Sequence, residues 1–447
     1  MQAGQADERA GTGEALIIRG RLLWFDGDPE FEGEAARRFI EDGALLVREG
    51  RIAAVGDARD ILSQAPRAPV ADHRPHLVTP GFIDPHIHFP QTQVIASYGA
   101  QLLDWLNRYT FVEEQKFADP AHAARNATFF LDELIRNGTT TAVAYCSVHR
   151  ASAEAFFAES EKRGARMIGG KVMMDRHCPE ALRDTPESGY RDSKELIAQW
   201  HGRSRIGYAI SPRFAITSSE AQLEVSRALV AEHPDCHMQT HMSENRREIE
   251  TVLSMFPDAK DYLAIYESYG LVTEKSLIGH CIHMSGSEWA RMAERRAVPV
   301  FCPTSNTFLG SGLFDWRAAR DPKRPLRVAL ATDVGGGTSY SMLRTAGEAY
   351  KVLQLNGQSF SPDQAFHAMT RGNAVALGLD DKIGGFFVGA ECDAVVLDAR
   401  ATPAMAHRME TVSSLDEELF VLSTLGDERS VVETYMMGKG VKSGSAS

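Results

Sequence analysis

Two closely spaced histidines give the strongest local chemical signal in this sequence of 447 residues. His86 and His88 lie two positions apart in the run 84–88, directly after a short apolar stretch. In an extended strand, residues two apart point to the same side, so both imidazole rings can reach one metal ion. The motif is weak by itself, because the chain has 15 histidines and pairs with this spacing also arise by chance.

Further polar residues follow short apolar runs later in the chain. His241 ends the fifth such run of the central region, His280 ends the sixth, and Asp333 follows the eighth. Glu244 lies three positions after His241, where it could act as a general acid or base. Histidine and carboxylate ligands together suit a borderline divalent ion such as zinc. Each residue alone could equally be a core histidine or a helix cap, so only their shared position at strand ends favours a metal site.

Eight apolar runs alternate with amphipathic helical patterns in the centre of the chain. The runs lie at 81–84, 139–145, 166–174, 206–210, 236–241, 276–280, 298–302 and 328–332. Helical periodicity predicts helices over 121–136, 220–232, 245–255 and 287–296. This alternation predicts a (β/α)8 barrel, although a doubly wound open sheet has a similar pattern. In a barrel, the carboxyl ends of the strands form one mouth, where the residues named above would meet.

Short β-rich runs occur at both ends of the chain, over 15–24, 43–56, 389–398 and 431–440. The residues at 49–51 predict a hairpin turn between two strands. We therefore expect a small β-sandwich domain, built from residues 14–79 together with 388–447, around an inserted barrel of residues 80–387. Residues 1–13 are polar and rich in small residues, which predicts a flexible tail.

Composition excludes several classes of protein. The chain has 48 basic and 60 acidic residues, a net charge of −12, and 43% hydrophobic residues, which is an ordinary globular balance. An acidic chain without a basic cluster argues against a nucleic-acid partner. No apolar run of about 20 residues predicts a membrane span, and the first 13 residues lack the apolar core of a signal peptide. The six scattered cysteines predict no disulfide framework, and the cytoplasm is the expected location.

Several stretches together resemble the amidohydrolase superfamily. That family carries Pro-Gly-Phe-Ile-Asp-x-His-x-His on its first barrel strand, as at 80–88 here, with histidines on the fifth and sixth strands and aspartate on the eighth. Within the superfamily, the chain is most similar to the guanine deaminase family. The stretches that carry this likeness are 103–111, 137–142, 211–214, 239–245 and 332–343. The likeness extends from about residue 14 to 440.

The resemblance implies a zinc-dependent hydrolysis that converts guanine, a small-molecule substrate, to xanthine and ammonia. It implies one Zn²⁺ per chain, with the ligands His86, His88, His241 and Asp333. It implies three catalytic residues, the proton carrier Glu244, the hydrogen-bonding His280 and the water-anchoring Asp333. The implied substrate contacts are Gln91, Arg213, Phe214, His241, Glu244 and Asp333. The family also suggests a homodimer.

Aromatic residues and one departure from the family bear on substrate recognition. Trp105, Tyr109 and Phe111 are further candidates for the walls of a site that holds a flat ring, although packing within a helix explains the first two as well. The family usually has asparagine where this chain has His177. A surface position is favoured for His177, because polar residues surround it.

Alternative functions stay open at this point. The substrate could be a related ring, such as 8-oxoguanine, a pterin or a triazine. Some amidohydrolases hold two metals through a modified lysine, but Lys171 begins its run, so we expect its side chain to lie away from the mouth. A non-catalytic scaffold would tend to lose the metal-binding residues, which this chain keeps. The other zinc deaminase design is excluded, because its H-x-E and P-C-x-x-C motifs are absent.

Overall fold

The computed structural model of the protein describes residues 15–99 and 101–442. The flexible tail predicted at residues 1–13 lies outside the described residues. The strands of the described ranges are β1 (Leu16–Phe25), β2 (Arg37–Arg48), β3 (Arg51–Asp57), β4 (Val70–Pro80), β5 (Phe82–His88), β6 (Thr139–Tyr145), β7 (Arg166–Gly170), β8 (Val172–Met173), β9 (Gly207–Pro212), β10 (His237–Met242), β11 (Ser276–His280), β12 (Val298–Phe301), β13 (Ala329–Leu330), β14 (Ala394–Leu397), β15 (Val431–Met436) and β16 (Lys439–Gly440).

The strands from β5 to β13 form a parallel barrel. Their order is β5-β6-β7-β9-β10-β11-β12-β13, and the short β8 also pairs with β9. The two ends of this order meet at the mouth, where the His88 amide donates to the Val334 carbonyl at 2.6 Å and the Asp333 amide donates to the His86 carbonyl at 2.9 Å. This meeting of the first and last strands confirms the predicted (β/α)8 barrel and argues against a doubly wound open sheet.

A buried carboxyl joins the same two barrel ends. Asp84 lies on β5 and is fully buried. Its Oδ1 accepts from the Thr332 amide at 3.2 Å, and its Oδ2 accepts from the Thr332 hydroxyl. Burial raises the pKa of Asp84 to about 7, against which these hydrogen bonds act. Asp84 thus helps to hold the metal-binding motif of β5 next to the segment that carries Asp333.

Helices cover the outside of the barrel and match the predicted positions closely. The longer helices are Pro120–Arg136, Arg150–Arg163, Pro186–Trp200, Glu220–Glu232, Arg246–Met255, Tyr262–Ser268, Gly286–Arg295, Met342–Leu355 and Leu415–Leu425. Side chains that cap the first backbone N–H groups fix where several of these helices begin. Asn245 and Glu248 form a capping box at the start of Arg246–Met255, and Ser285 and Glu288 form another at Gly286–Arg295. In the described ranges, no helix has the length and apolar character needed to cross a membrane.

The remaining strands form a second sheet from both ends of the chain, in the order β16-β15-β14-β4-β1-β2-β3. The turn between β2 and β3 consists of Glu49 and Gly50, both with positive φ, as a tight hairpin requires. The sequence predicted that strands from both chain ends would form one small β domain, and these seven strands are hydrogen bonded along one continuous path. In it, β1 pairs with β2 on one side and with β4 on the other, and β4 continues to β14.

Candidate active site

Four potential metal ligands converge at the mouth of the barrel. His86 and His88 lie on β5, His241 lies on β10, and Asp333 follows β13. One carboxylate oxygen, Asp333 Oδ1, lies 3.4 Å from His86 Nε2 and 3.2 Å from His88 Nε2. The Nε2 atoms of His88 and His241 are 3.2 Å apart. One ligand atom from each of the four residues lies within 4.8 Å of the others.

The hydrogen bonding of these imidazoles fits a divalent metal. Among the described residues, neither ring nitrogen of His86 has a hydrogen-bond partner, although both are buried. His241 Nδ1 donates to the Arg213 carbonyl at 2.7 Å, which leaves the lone pair of its Nε2 facing the other ligands. Buried imidazole nitrogens without partners are costly, and a metal ion among them satisfies the electron pairs that the protein leaves free.

His280 faces the same group but with a different proton arrangement. The Asn306 side-chain Nδ2 donates to His280 Nδ1 at 2.9 Å, so the ring proton is on Nε2. His280 Nε2 lies 3.3 Å from Glu244 Oε2 and 3.9 Å from Asp333 Oδ2. A ring that carries its proton on the nitrogen facing the site is a hydrogen-bond donor there, which separates His280 from the three ligand-type histidines.

Glu244 lies at the mouth on the segment after β10. Its Oε1 accepts from the Ser311 hydroxyl at 3.0 Å. Its own amide donates to the carboxylate of Glu248 at 2.8 Å, so the helix that starts at Arg246 fixes its backbone. Burial raises the pKa of Glu244 well above its ordinary value, and the charges of Glu248 and Asp333 raise it further. A carboxyl with a raised pKa can both accept and return a proton near neutral pH.

A cavity opens from this group of residues. It is lined by His88, Gln91, Leu102, Trp105, Leu106, Arg213, Phe214, His241, Glu244, His280, Ser305, Leu309, Asp333 and Gly336. Its mixture of apolar walls with a few polar groups suits a small, flat heterocycle. Of the three further aromatic candidates, Trp105 lines the cavity, whereas Tyr109 and Phe111 do not.

The cavity also carries an ordered set of polar groups. Gln91 Nε2 donates to Glu114 Oε1 at 2.9 Å, and Arg213 Nη1 donates to Glu114 Oε2 at 2.7 Å. The Gly335 amide donates to Gln91 Oε1 at 3.3 Å, and the Arg213 guanidinium lies over the Phe111 ring at 5.3 Å. Sequence reasoning found Gln91 and Arg213 but missed Glu114, which gives no signal because it resembles an ordinary acidic helix residue.

The structure places two other residues as the sequence predicted. Lys171 is fully buried and donates to Asp184 Oδ2 at 2.6 Å, so it does not line the cavity. His177 is exposed, and it also lies outside the cavity lining. All six cysteines are buried and unpaired.

A parallel eight-stranded barrel with imidazoles and a carboxylate at the carboxyl ends of its strands defines a metal-dependent hydrolase of the amidohydrolase type. Comparison with known families agrees, because residues 77–441 match the model of the amidohydrolase family, and the chain belongs to that family. Residues 43–68 also match an imidazolonepropionase-like composite domain of bacteria.

Within the family, the chain is similar to proteins named guanine deaminase. It is 46% identical to the guanine deaminase of Escherichia coli K12 over 98% of this chain and 99% of that relative. It is 40% identical to a probable guanine deaminase of Deinococcus radiodurans, over 95% and 98% of the two chains.

Solved structures give the same grouping. The E. coli guanine deaminase structure superposes with a TM-score of 0.92 at 43% identity, covering 96% of this chain and 98% of that one. A guanine deaminase structure from C. acetobutylicum with guanine bound in its active site superposes with a TM-score of 0.86 at 27% identity, covering 96% and 100% of the two chains.

Proposed function

We propose that this protein is a zinc-dependent guanine deaminase, which hydrolyses guanine to xanthine and ammonia. The observation that carries the proposal is the cavity itself, which is lined both by metal-ligand side chains and by the polar pair Gln91 and Arg213. The near full-length identity of 46% to a guanine deaminase supports the same reaction. The bound guanine in a superposable relative supports the same substrate.

The metal ligands in this proposal are His86, His88, His241 and Asp333, and one ion per chain is expected. Three imidazoles and one carboxylate form a donor set typical of zinc. The unpartnered ring nitrogens of His86 support this assignment. Zinc held there supplies Lewis acidity, which lowers the pKa of water to about 7 and makes a nucleophile available at neutral pH.

Guanine binds, in this proposal, with its ring between apolar walls and its polar edges against fixed groups. Trp105 and Phe214 provide apolar surface on the cavity. Arg213 offers N–H donors to the ring carbonyl, and Gln91 offers both a donor and an acceptor. These contacts orient the carbon that bears the exocyclic amine toward Glu244 and His280, and such positioning can lower the barrier by several kcal/mol.

Glu244 and His280 carry the proton transfers. Glu244 accepts a proton from the attacking water and delivers it to the adjacent ring nitrogen, while the water oxygen bonds to the ring carbon. His280 donates a hydrogen bond from Nε2 to the oxygen that attacks and helps to hold its direction. Glu244 then takes the remaining proton from the hydroxyl group now bonded to that carbon and delivers it to the amine. The carbon–nitrogen bond breaks as the hydroxyl oxygen becomes the carbonyl oxygen of xanthine, and ammonia leaves. Asp333 assists by orienting the same water.

Ammonia release from guanine by the purified enzyme tests this function. We expect activity in the metal-loaded protein, loss of it after chelation, and recovery on adding zinc. Metal analysis should find about one zinc per chain, whereas a non-catalytic scaffold would hold none in stoichiometric amount. Faster ammonia release from 8-oxoguanine, a pterin or a triazine than from guanine would contradict the substrate assignment. The homodimer and the cytoplasmic location stay predictions, which the molar mass in solution and cell fractionation test.

A further inference from the structure

Glu114 touches two residues that line the cavity, Gln91 and Arg213. It is 1% exposed and is not part of the cavity lining. Its two carboxylate oxygens are each used, Oε1 by Gln91 at 2.9 Å and Oε2 by Arg213 at 2.7 Å. Nothing in the proposed reaction uses Glu114, so a buried carboxylate at this place needs another reason.

We propose that Glu114 determines specificity by selecting neutral purine rings over anionic ones, acting through Gln91 and Arg213. This inference rests on the proposed function, because it concerns the substrate class of the same site. A guanidinium alone at the end of a cavity would favour an anionic ligand. Glu114 forms a buried ion pair with Arg213, which balances that charge, so the recognition side offers hydrogen bonds without net charge.

The same carboxylate also sets the orientation of the Gln91 amide. Since Gln91 Nε2 donates to Glu114 and Gln91 Oε1 accepts from the Gly335 amide, the amide cannot flip without losing both hydrogen bonds. One N–H and one lone pair of Gln91 stay free for a ligand. Glu114 is therefore a positioning residue that fixes which atoms the cavity presents, and it neither contacts the substrate nor moves a proton.

Replacing Glu114 by glutamine keeps its size but removes its charge. We expect the KM for guanine to rise about 10- to 100-fold, the range for losing a hydrogen bond to a charged group, with kcat affected less and zinc content unchanged. Competitive inhibition separates charge selection from simple damage. In mildly alkaline solution xanthine is largely an anion, whereas hypoxanthine is largely neutral. Glu114→Gln should therefore strengthen xanthine binding relative to hypoxanthine binding, by about tenfold or more in the ratio of their inhibition constants.

Two further variants complete the experiment. Glu114→Asp keeps the charge but shortens the side chain, so it should weaken guanine binding while preserving the preference for the neutral inhibitor. Glu113→Gln is the matched control, because Glu113 is the neighbouring buried acid and pairs with Lys116 instead. An equal loss of affinity for both inhibitors in Glu114→Gln, or no change in either, would overturn the proposal. Inhibitor binding is also measurable by calorimetry, so failure of guanine turnover in the unaltered enzyme counts against the proposed function alone.

Discussion

At the level of single residues, the second nitrogen of each imidazole decides what a histidine at the mouth can do. His241 donates a hydrogen bond from Nδ1 to the Arg213 carbonyl, so the lone pair of its Nε2 faces the site. His280 receives a hydrogen bond from Asn306 at Nδ1 and turns an N–H toward the site. Two histidines with ring centroids 5.4 Å apart are therefore suited to opposite tasks, ligation and donation.

Glu244 is the buried carboxyl at the mouth that carries protons in the proposed reaction. We expect Glu244→Gln to lower kcat/KM by about 100- to 10,000-fold, the usual contribution of a general acid or base, with zinc still bound. Steady-state kinetics and metal analysis on the same sample measure both quantities. Glu250→Gln is a suitable control, because Glu250 is exposed on the helix that follows. Turnover close to that of the unaltered enzyme would remove Glu244 from the mechanism.

Most of the residues that meet at the mouth could be predicted from the sequence. The metal-type residues and Glu244 follow strand ends, so their positions along the chain already indicated convergence at one mouth. Glu114 and Asn306 were missed for a physical reason. Glu114 contacts Arg213, which lies 99 positions further along the chain, and Asn306 contacts His280, which lies 26 positions earlier. Such pairs come together only when the barrel closes.

At the level of elements, closure of the barrel decides whether the metal ligands meet. The strands β5 and β13 carry or precede three of the four ligand-type residues, and the short β13 spans only Ala329–Leu330. The sequence predicted a longer run at 328–332 and ended the first run at 84, whereas β5 extends to His88. Alternation of apolar and helical segments predicted the order of the strands, but the length of each hydrogen-bonded ladder depends on neighbours that the sequence does not reveal.

Asn373 compensates for the shortness of β13. Its Oδ1 accepts from the Leu330 amide at 2.9 Å, and its Nδ2 donates to the carbonyls of Ile83 and Leu330 at 2.7 and 2.8 Å. This fully buried side chain therefore links the first and last strands of the barrel. Asp84 makes a similar link nearer the mouth, because it joins β5 to Thr332 just after β13.

We expect Asn373→Ala to reduce the free energy of unfolding by about 3 kcal/mol or more, because it leaves buried backbone groups without partners. Denaturant titration of the zinc-loaded protein measures this loss. Asn356→Ala is the control, since Asn356 is exposed and its side chain donates one hydrogen bond, to the Phe314 carbonyl at 3.2 Å. A difference of less than about 1 kcal/mol between the two variants would mean that the barrel closes without Asn373.

At the level of the whole molecule, a buried ion-pair network joins the barrel to the sheet made from the chain ends. Arg205 donates from Nε to Glu391 Oε2 at 2.9 Å and from Nη2 to Asp393 Oδ2. Arg166 donates to the same Glu391 from Nε at 2.8 Å. Arg166 begins β7, Arg205 precedes β9, and the two acids precede β14. Four charges therefore hold together two parts that are far apart in sequence. The sequence predicted both parts, whereas the ionic contacts between them gave no local pattern.

Replacement of Arg205 by methionine tests how much this junction contributes. Arg205, Glu391 and Asp393 are all buried, so removing the guanidinium takes away the ion-pair partner of Asp393 and one of the arginine partners of Glu391, which keeps Arg166. We expect a loss of about 3 to 5 kcal/mol in the free energy of unfolding at neutral pH, as for other broken buried ion pairs. Arg203→Met is the matched control, since that exposed arginine pairs with Glu161 at the surface and should cost less than about 1 kcal/mol.

The pH dependence of the Arg205→Met deficit identifies its ionic origin. Burial alone would raise the pKa of Glu391, but hydrogen bonds and charge from Arg166 and Arg205 bring it below its ordinary value of 4.5. A carboxyl with a lowered pKa in the folded state stabilises the protein above the unfolded pKa and loses that contribution as pH falls through the folded pKa. The difference in unfolding free energy between the unaltered enzyme and Arg205→Met should therefore be full at neutral pH and shrink below about pH 4.5. A deficit that stays constant as the carboxylates protonate would show that Arg205 acts through packing instead of charge.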